Sequence, residues 1–229
     1  MKNKKRIEKA IGYIPQGSTV ADIGCDHCYV LIKGVLENKI NKGIGIEVVP
    51  GPYQQGKSNI KENKLEEYLD IRLGSGLKPL HINEAEICVI GGMGGQLIKY
   101  ILEEDLEKAQ AFTRLILQPM GSERELRKFL INNGWKIIEE DILISDRLYL
   151  YIVAERGEQN LENDFLYEIG PVLTKKKSQG KEKYVLDKIE KLNKIKIELY
   201  KANDQETAQK ELLKIENKIK LWSNELENK

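Results

Sequence analysis

Short apolar runs rich in Val and Ile alternate with helical stretches as far as residue 133. Thr19–Ile23, Gly43–Glu47, Asp70–Leu73, Ile87–Ile90 and Arg114–Leu117 predict strands. Segments near 28–38, 51–64, 95–108 and 123–133 predict the helices between them. Continuous apolar strands separated by helices indicate βαβ units and a parallel sheet covered on both faces. The period then changes. Lys136–Ser145 and Arg147–Ala154 alternate apolar and polar residues around Ser145-Asp146, which predicts an antiparallel hairpin.

Beyond Glu158 the chain turns charged and polar, and Gly170-Pro171 marks a break, so residues 1–158 and 159–229 read as separate domains. Two helices follow. The first, near 182–202, places Ile189, Leu192, Ile195 and Leu199 on one side. The second spaces Ala208, Leu212, Ile215, Ile219, Trp222 and Leu226 as a heptad seam. Ala202-Asn-Asp-Gln205 is suitable turn chemistry, so an antiparallel, coiled-coil-like hairpin is the economical reading. The same seam would also suit a second chain, and a monomer is favoured over such a dimer.

Composition narrows the class. With 41% hydrophobic residues in 229, the chain can bury a substantial core. No run approaches the roughly 18 consecutive apolar residues of a membrane span. Three cysteines make a disulfide framework unsuitable, and Ile7 to Ile14 mixes apolar with charged residues, unlike a secretion signal. The expected location is the cytoplasm. The net charge of +1 hides an uneven distribution: residues 175–201 hold ten lysines against four acids, and 2–9 hold four Lys and one Arg against Glu8. Two basic segments on a neutral protein suggest a polyanionic partner.

The candidate chemistry sits at strand ends. Val20-Ala-Asp22-Ile-Gly24-Cys-Asp26-His27 leaves the first strand, and Gly45-Ile-Glu47 closes the second with a carboxylate suited to ribose hydroxyls. A dinucleotide site would want G-x-G-x-x-G here. Asp26 would repel a pyrophosphate but not a cationic sulfonium, so the residues favour S-adenosylmethionine over NAD. Ile90-Gly91-Gly92-Met93-Gly94-Gly95 follows the fourth strand, where ligands approach the backbone closely. The loop lacks the Asp/Asn-Pro-Pro-aromatic tetrad of many amino-group methyltransferases, which points to a ring nitrogen as acceptor. Gln118, before Pro119 and Met120, offers an amide to a base edge, and Gly74-Ser75-Gly76 would face an adenine ring. Cys25, His27 and Cys28 suggest a metal or redox motif, but no second matched pair exists and a helix beginning there would splay them. Cys28 and Cys88 read better as small core residues.

Taken in order, Ala21 to His27 with Tyr29, Val48 to Tyr53, Gly91 to Gly95, Leu115 to Pro119 followed by Leu126-Arg127, Tyr149 and Gly170-Pro171 resemble the bacterial tRNA adenine-22 N1-methyltransferases. The resemblance covers nearly the whole chain. It implies an α/β, Rossmann-like class I methyltransferase sheet closed by an antiparallel hairpin, with a C-terminal helical domain that helps hold tRNA. It implies S-adenosyl-L-methionine as cofactor and tRNA as partner. It further implies catalytic roles at Asp26, Gly92 and Gln118. Cofactor binding would fall to Arg6, Asp22, Gly24, Asp26, His27, Glu47, Ser75, Gly76, Gly91, Gly92 and Met93. Leu31, Ser75 and Met120 depart from the family's usual Pro, Asp or Asn, and Asn. Two other classes stay open: a methyltransferase for another RNA, a small molecule or a protein, and a non-catalytic adaptor using the heptad helix.

Overall fold

The computed structural model describes residues 4–201 and 205–227. It divides into two compact units, Met1–Asn160 and Leu161–Lys229. The first opens with α1 (Lys4–Gly12), then β1 (Ser18–Ile23), α2 (Tyr29–Leu36), β2 (Ile40–Glu47), α3 (Pro50–Glu62) and β3 (Leu69–Leu73). It continues with β4 (Ile87–Met93), α4 (Gly95–Glu104), α5 (Leu106–Ala111), β5 (Arg114–Pro119), α6 (Glu123–Asn132), β6 (Trp135–Ile144) and β7 (Leu148–Arg156). The seven strands form one sheet in the order β3-β2-β1-β4-β5-β7-β6. β1 to β5 pair in parallel, and β7 runs antiparallel to both β5 and β6. The predicted hairpin therefore closes one edge of the predicted parallel sheet.

Continuous burial explains the strand sequences. Val20, Ala21 and Ile23 of β1, and Ile87 to Ile90 of β4, are all buried, because helices cover both faces of the central sheet. Two strands outrun the apolar signal. β2 begins at Ile40, which pairs with Ser18. β4 continues through the glycines because Gly91 still pairs with Gln118 and Met93 with Pro119, while Gly92 is the extra residue of a bulge, at φ 77°. The helix predicted over 95–108 breaks at Asp105, whose φ of −124° and ψ of 53° are not helical. The sequence reading missed α1 altogether. Its apolar residues Ile7, Ala10 and Ile11 sit among lysines, but Ala10 and Ile11 are buried. Among the described residues, Arg127 of α6 and Glu140 of β6 form an ion pair wholly inside, meeting at 2.7 Å with neither side chain exposed.

The second unit holds α7 (Phe165–Ile169), a 3₁₀ turn at Leu173–Lys175, α8 (Gln179–Tyr200) and α9 (Gln205–Glu227). The Ser178 hydroxyl caps α8 by accepting the Lys181 N–H at 3.2 Å. The long helices run antiparallel, since Lys181 meets Glu225 at 2.9 Å and Lys196 meets Glu216 at 2.7 Å. The described residues of the α9 seam are its better-covered ones, with Ala208 and Trp222 buried. On α8 the seam differs from the predicted one. Ile195 is 48% exposed, and Lys196 takes its place between Leu192 and Leu199. The true spacing, Val185, Ile189, Leu192, Lys196, Leu199, is an unbroken 4-3-4-3 in which the lysine stem lies in the seam and its ammonium reaches Glu216. Of the predicted turn over 202–205, residues 202–204 lie outside the described residues, and Gln205 opens α9. Among the described residues, no helix is long and apolar enough to cross a membrane.

Candidate functional site

Strand order reverses between β1 and β4: from β1 the chain builds outward through β2 and β3, then returns to β4 and β5 on the other side. The carboxyl ends at such a switch point flank a crevice, because the connecting loops diverge there. A cavity of about 290 Å³ occupies it. Asp22 and Gly24 to Asp26 form one wall, Gly91, Gly92 and Gln118 another, and Arg6, Ile7 and Ala10 of α1 a third, with Tyr29 and Tyr151 also lining it.

The loop after β1 owes its shape to three residues in the left-handed region, Gly24 (φ 71°), Asp26 (φ 52°) and Cys28 (φ 60°). The N–H groups of Gly24 and Cys25 both donate to the Ile46 carbonyl, at 2.8 and 3.1 Å. This holds the turn against the end of β2. α2 begins only at Tyr29, so Cys25 lies in the turn before it, and the two thiols do not splay: their sulfurs stand 3.2 Å apart. This contact, and then burial, push the Cys25 thiol far above its ordinary range. Cys28 and Cys88 are fully buried. Among the described residues, no three His, Cys, Asp or Glu side chains gather as a metal site would need.

Three carboxylates meet near this loop. Glu47 is buried, and backbone N–H groups answer its charge: Val48 and Val49 donate to Oε1 at 2.8 and 2.9 Å, and Asp26 donates to Oε2 at 3.1 Å. Asp22 is 5% exposed, and no N–H or O–H among the described residues donates to it. Burial, then the nearby Glu47 and Asp26 charges, push its pKa up to about 7. The Asp26 side chain is 60% exposed at the cavity mouth, with His27 Nε2 3.5 Å from its Oδ1.

On the opposite side, Arg6 Nη2 donates to Gln118 Oε1 at 2.8 Å, and the Gly92 N–H donates to the same oxygen at 3.1 Å. Gln118 Nε2 donates to the Pro119 carbonyl at 3.1 Å and lies 3.2 Å from Met120 Sδ. The amide is therefore engaged within the protein rather than presented to a base edge, and Met120 helps to set its orientation. The Arg6 guanidinium also stacks 4.6 Å from the centre of the Tyr149 ring, and Tyr151 Oη donates to the Arg6 carbonyl at 2.9 Å. A helix unseen in the sequence thus becomes a wall of the site.

The residues predicted from sequence divide accordingly. Arg6, Asp22, Gly24, Asp26, Gly91, Gly92 and Gln118 share the cavity. Glu47 stands behind it, holding the loop. Met93 packs against Gly24, where a Cβ would collide with its side chain. His27 turns aside, its ring 5.5 Å from that of Tyr29. Ser75 and Gly76 follow β3 and are not among the residues lining the cavity, but the Gly74 N–H just before them donates to the Glu47 carbonyl at 2.9 Å, at the same end of the sheet. Of the basic segment 2–9, Arg6 points into the site and Lys9 is paired with Asp141, so the segment is not one outward patch; Lys2 lies outside the described residues. The sequence reading missed Ile7, Ala10 and Tyr151. An apolar spacing at Ile7, Ala10, Ile11 and Ile14 was the available signal.

Comparison with known proteins gives a consistent picture. A family model described as TrmK, tRNA (adenine(22)-N(1))-methyltransferase, matches residues 20–224. The chain is 31% identical over 227 residues to the Bacillus subtilis tRNA (adenine(22)-N(1))-methyltransferase, covering 96% of this chain and 95% of that protein. The crystal structure of the B. subtilis m1A22 tRNA methyltransferase TrmK superposes with a TM-score of 0.89 at 30% identity, over 96% of this chain and 97% of that one. A Streptococcus pneumoniae protein solved in complex with S-adenosyl-L-methionine superposes at 0.83 with 32% identity, over 93% and 98%.

Proposed function

The chain belongs to the tRNA (adenine(22)-N(1))-methyltransferase family, and on that premise we propose how its residues serve the reaction. The protein is an S-adenosyl-L-methionine-dependent enzyme that methylates N1 of adenine 22 in tRNA. When bound, the cofactor supplies a methyl group activated by a positively charged sulfur. The cavity suits that molecule in two respects. Gly24 and Gly92, both at positive φ, keep side chains away from its walls. Asp26 at its mouth and Glu47 behind its wall bring carboxylates to it, and Asp22 in the wall can ionise beside a cation, as a sulfonium requires and a pyrophosphate does not tolerate. That collection of carboxylates at the switch point is the observation that carries the assignment.

Asp22, Gly24, Gly91 and Gly92 would hold the cofactor, with Glu47 fixing the loop from behind. The adenine N1 lies on the Watson–Crick edge, so the base must leave its pairing before it can be aligned. Neutral adenine N1 is already nucleophilic, which leaves the protein alignment and exclusion of water as its main tasks. Tyr29, 47% exposed at the mouth, offers a face for the base. Methylation leaves a cation on the base, and the exposed Asp26 carboxylate stands where it would stabilise that charge. Gln118 acts as a positioning residue between Arg6 and Gly92.

In this reading the first unit is the catalytic domain and the second contacts tRNA. The α8 seam is covered by α9 of the same chain, which supports a monomer, and a tRNA substrate supports a cytoplasmic location. The test is incubation with labelled S-adenosyl-L-methionine and unmodified tRNA, followed by mass analysis of digested nucleosides. N1-methyladenosine at position 22, with turnover falling sharply in Asp26→Asn while the fold persists, is the expected result. Cofactor binding with no label in tRNA would overturn the substrate; no cofactor binding would favour the adaptor alternative.

A further inference from the structure

Asp22 differs from the other two carboxylates in having nothing among the described residues to balance it. Glu47, at the end of β2, is met by three backbone donors, and Asp26, in the loop, is largely solvated. Asp22 is buried on β1 and lines the cavity, yet no donor among the described residues reaches it. Its other titratable neighbours bring no positive charge: the Cys25 thiol from the loop and the Cys88 thiol from β4. Arg6, on α1 across the cavity, already has its guanidinium on Gln118 and Tyr149. A cation is therefore missing from the protein side of this wall.

Resting on the functional reading above, we propose that Asp22 tells the sulfonium of the cofactor from the uncharged thioether sulfur of its product, which otherwise carries the same ammonium and carboxylate, by exchanging a proton with solvent. In the cofactor-free protein burial and the neighbouring carboxylates favour the protonated carboxyl. Entry of a sulfonium into the cavity favours the carboxylate, and the proton passes to solvent. Methyl transfer moves the positive charge from sulfur to the base, so the carboxyl takes a proton back and the hold on the by-product weakens. No bond in the cofactor is altered by this exchange; only one O–H bond on Asp22 breaks and re-forms. The raised pKa of Asp22 sets the effect near neutral pH.

The inference is tested by calorimetric titration of the full chain with S-adenosyl-L-methionine and with S-adenosyl-L-homocysteine, in buffers of different ionisation enthalpy. Near pH 7 the methionine compound should release a larger fraction of a proton than the homocysteine compound. Its affinity should rise about tenfold from pH 6 to pH 8, and the other's much less. Asp22→Asn, which cannot titrate, should abolish the difference in proton release and flatten both profiles. Equal proton release by the two ligands in the wild-type protein would overturn the proposal alone, whatever the variant does. Binding of neither ligand would overturn the functional reading and the proposal with it.

Discussion

Arg6 Nη2 donates to Gln118 Oε1 at 2.8 Å, joining the first helix to the end of the fifth strand across 112 residues of chain. The Gly92 N–H shares that oxygen, so one contact sets a helix, a glycine bulge and a strand end together. Arg6→Ala removes this bond and the stack on Tyr149. Hydrogen bonds to charged groups contribute about 1.5–3 kcal/mol, so kcat/KM should fall roughly tenfold to a hundredfold. Arg6→Lys should recover only part of this, because an ammonium cannot both reach the amide and lie flat on the ring. Steady-state kinetics on folded variants checks it.

The glycines of the fourth loop differ in what they tolerate. A Cβ on Gly95 would stand 2.6 Å from the backbone carbonyl oxygens of both Gly121 and Ser122, which cannot swing aside as a side chain does. Gly94 has open space around the same point and a φ of −60°. Gly95→Ala should therefore cost about 2 kcal/mol, a fall of roughly 4–8 °C in Tm. Gly94→Ala should be neutral or slightly stabilising. Thermal unfolding of the two variants side by side gives the answer.

Much of this architecture was legible in the chain, for physical reasons that also explain the gaps. Ile87 to Ile90 announces a central strand because both its faces are buried. Gly24 and Glu47 announce a ligand-binding strand end because they combine backbone freedom with charge. α1 was hidden because Lys4, Lys5 and Lys9 dilute its apolar stripe. The Cys25–Cys28 contact is hidden in the sequence because the pattern suggests a helix from about residue 28, whereas left-handed Cys28 precedes the helix and brings the thiols together. Ile195, three residues after Leu192, suits one side of a helix by sequence, while the heptad spacing in the structure puts Lys196 on the seam and leaves Ile195 exposed. The Arg6–Gln118 bond has no local sequence signal at all, since only the folded sheet brings its partners together.

The raised pKa of Asp22 has a consequence for stability with a definite sign. The unfolded carboxyl ionises near its ordinary 3.8, whereas the folded one holds its proton until about 7. Well below pH 3.8 both states are protonated and its contribution is fully present. As pH rises towards 7 the unfolded state sheds the proton first, and stability falls by up to about 4 kcal/mol. Glu84 acts in the opposite direction: its bonds to Arg72 and to the His81 N–H hold it down at about 2, so its contribution is lost only as pH falls from 4.5 through that value. Asp22→Asn should therefore flatten the decline between pH 4 and 7 and leave the acid limb intact. Denaturant unfolding across pH would detect the change in slope.

Salt dependence separates the cations that remain available to tRNA from those spent inside the fold. Of the lysine-rich segment 175–201, Lys181 is buried against Glu225, and Lys191, Lys194, Lys196 and Lys201 each face a carboxylate. Lys175, Lys177 and Lys183, around the start of α8, are exposed and make no ion pair among the described residues. Each phosphate neutralised in a structured RNA releases condensed counterion, with a slope of somewhat under one per contact in log Kd against log salt. Replacing these three lysines with alanine should therefore weaken tRNA binding and lower that slope by about two to three, leaving cofactor affinity unchanged. Replacing Lys191, Lys194 and Lys201 instead should change the slope much less, because their charges are already partly met by neighbouring acids. Filter binding of tRNA over a salt series would show which set carries the phosphate contacts, and an equal loss from both would remove the assignment to the start of α8.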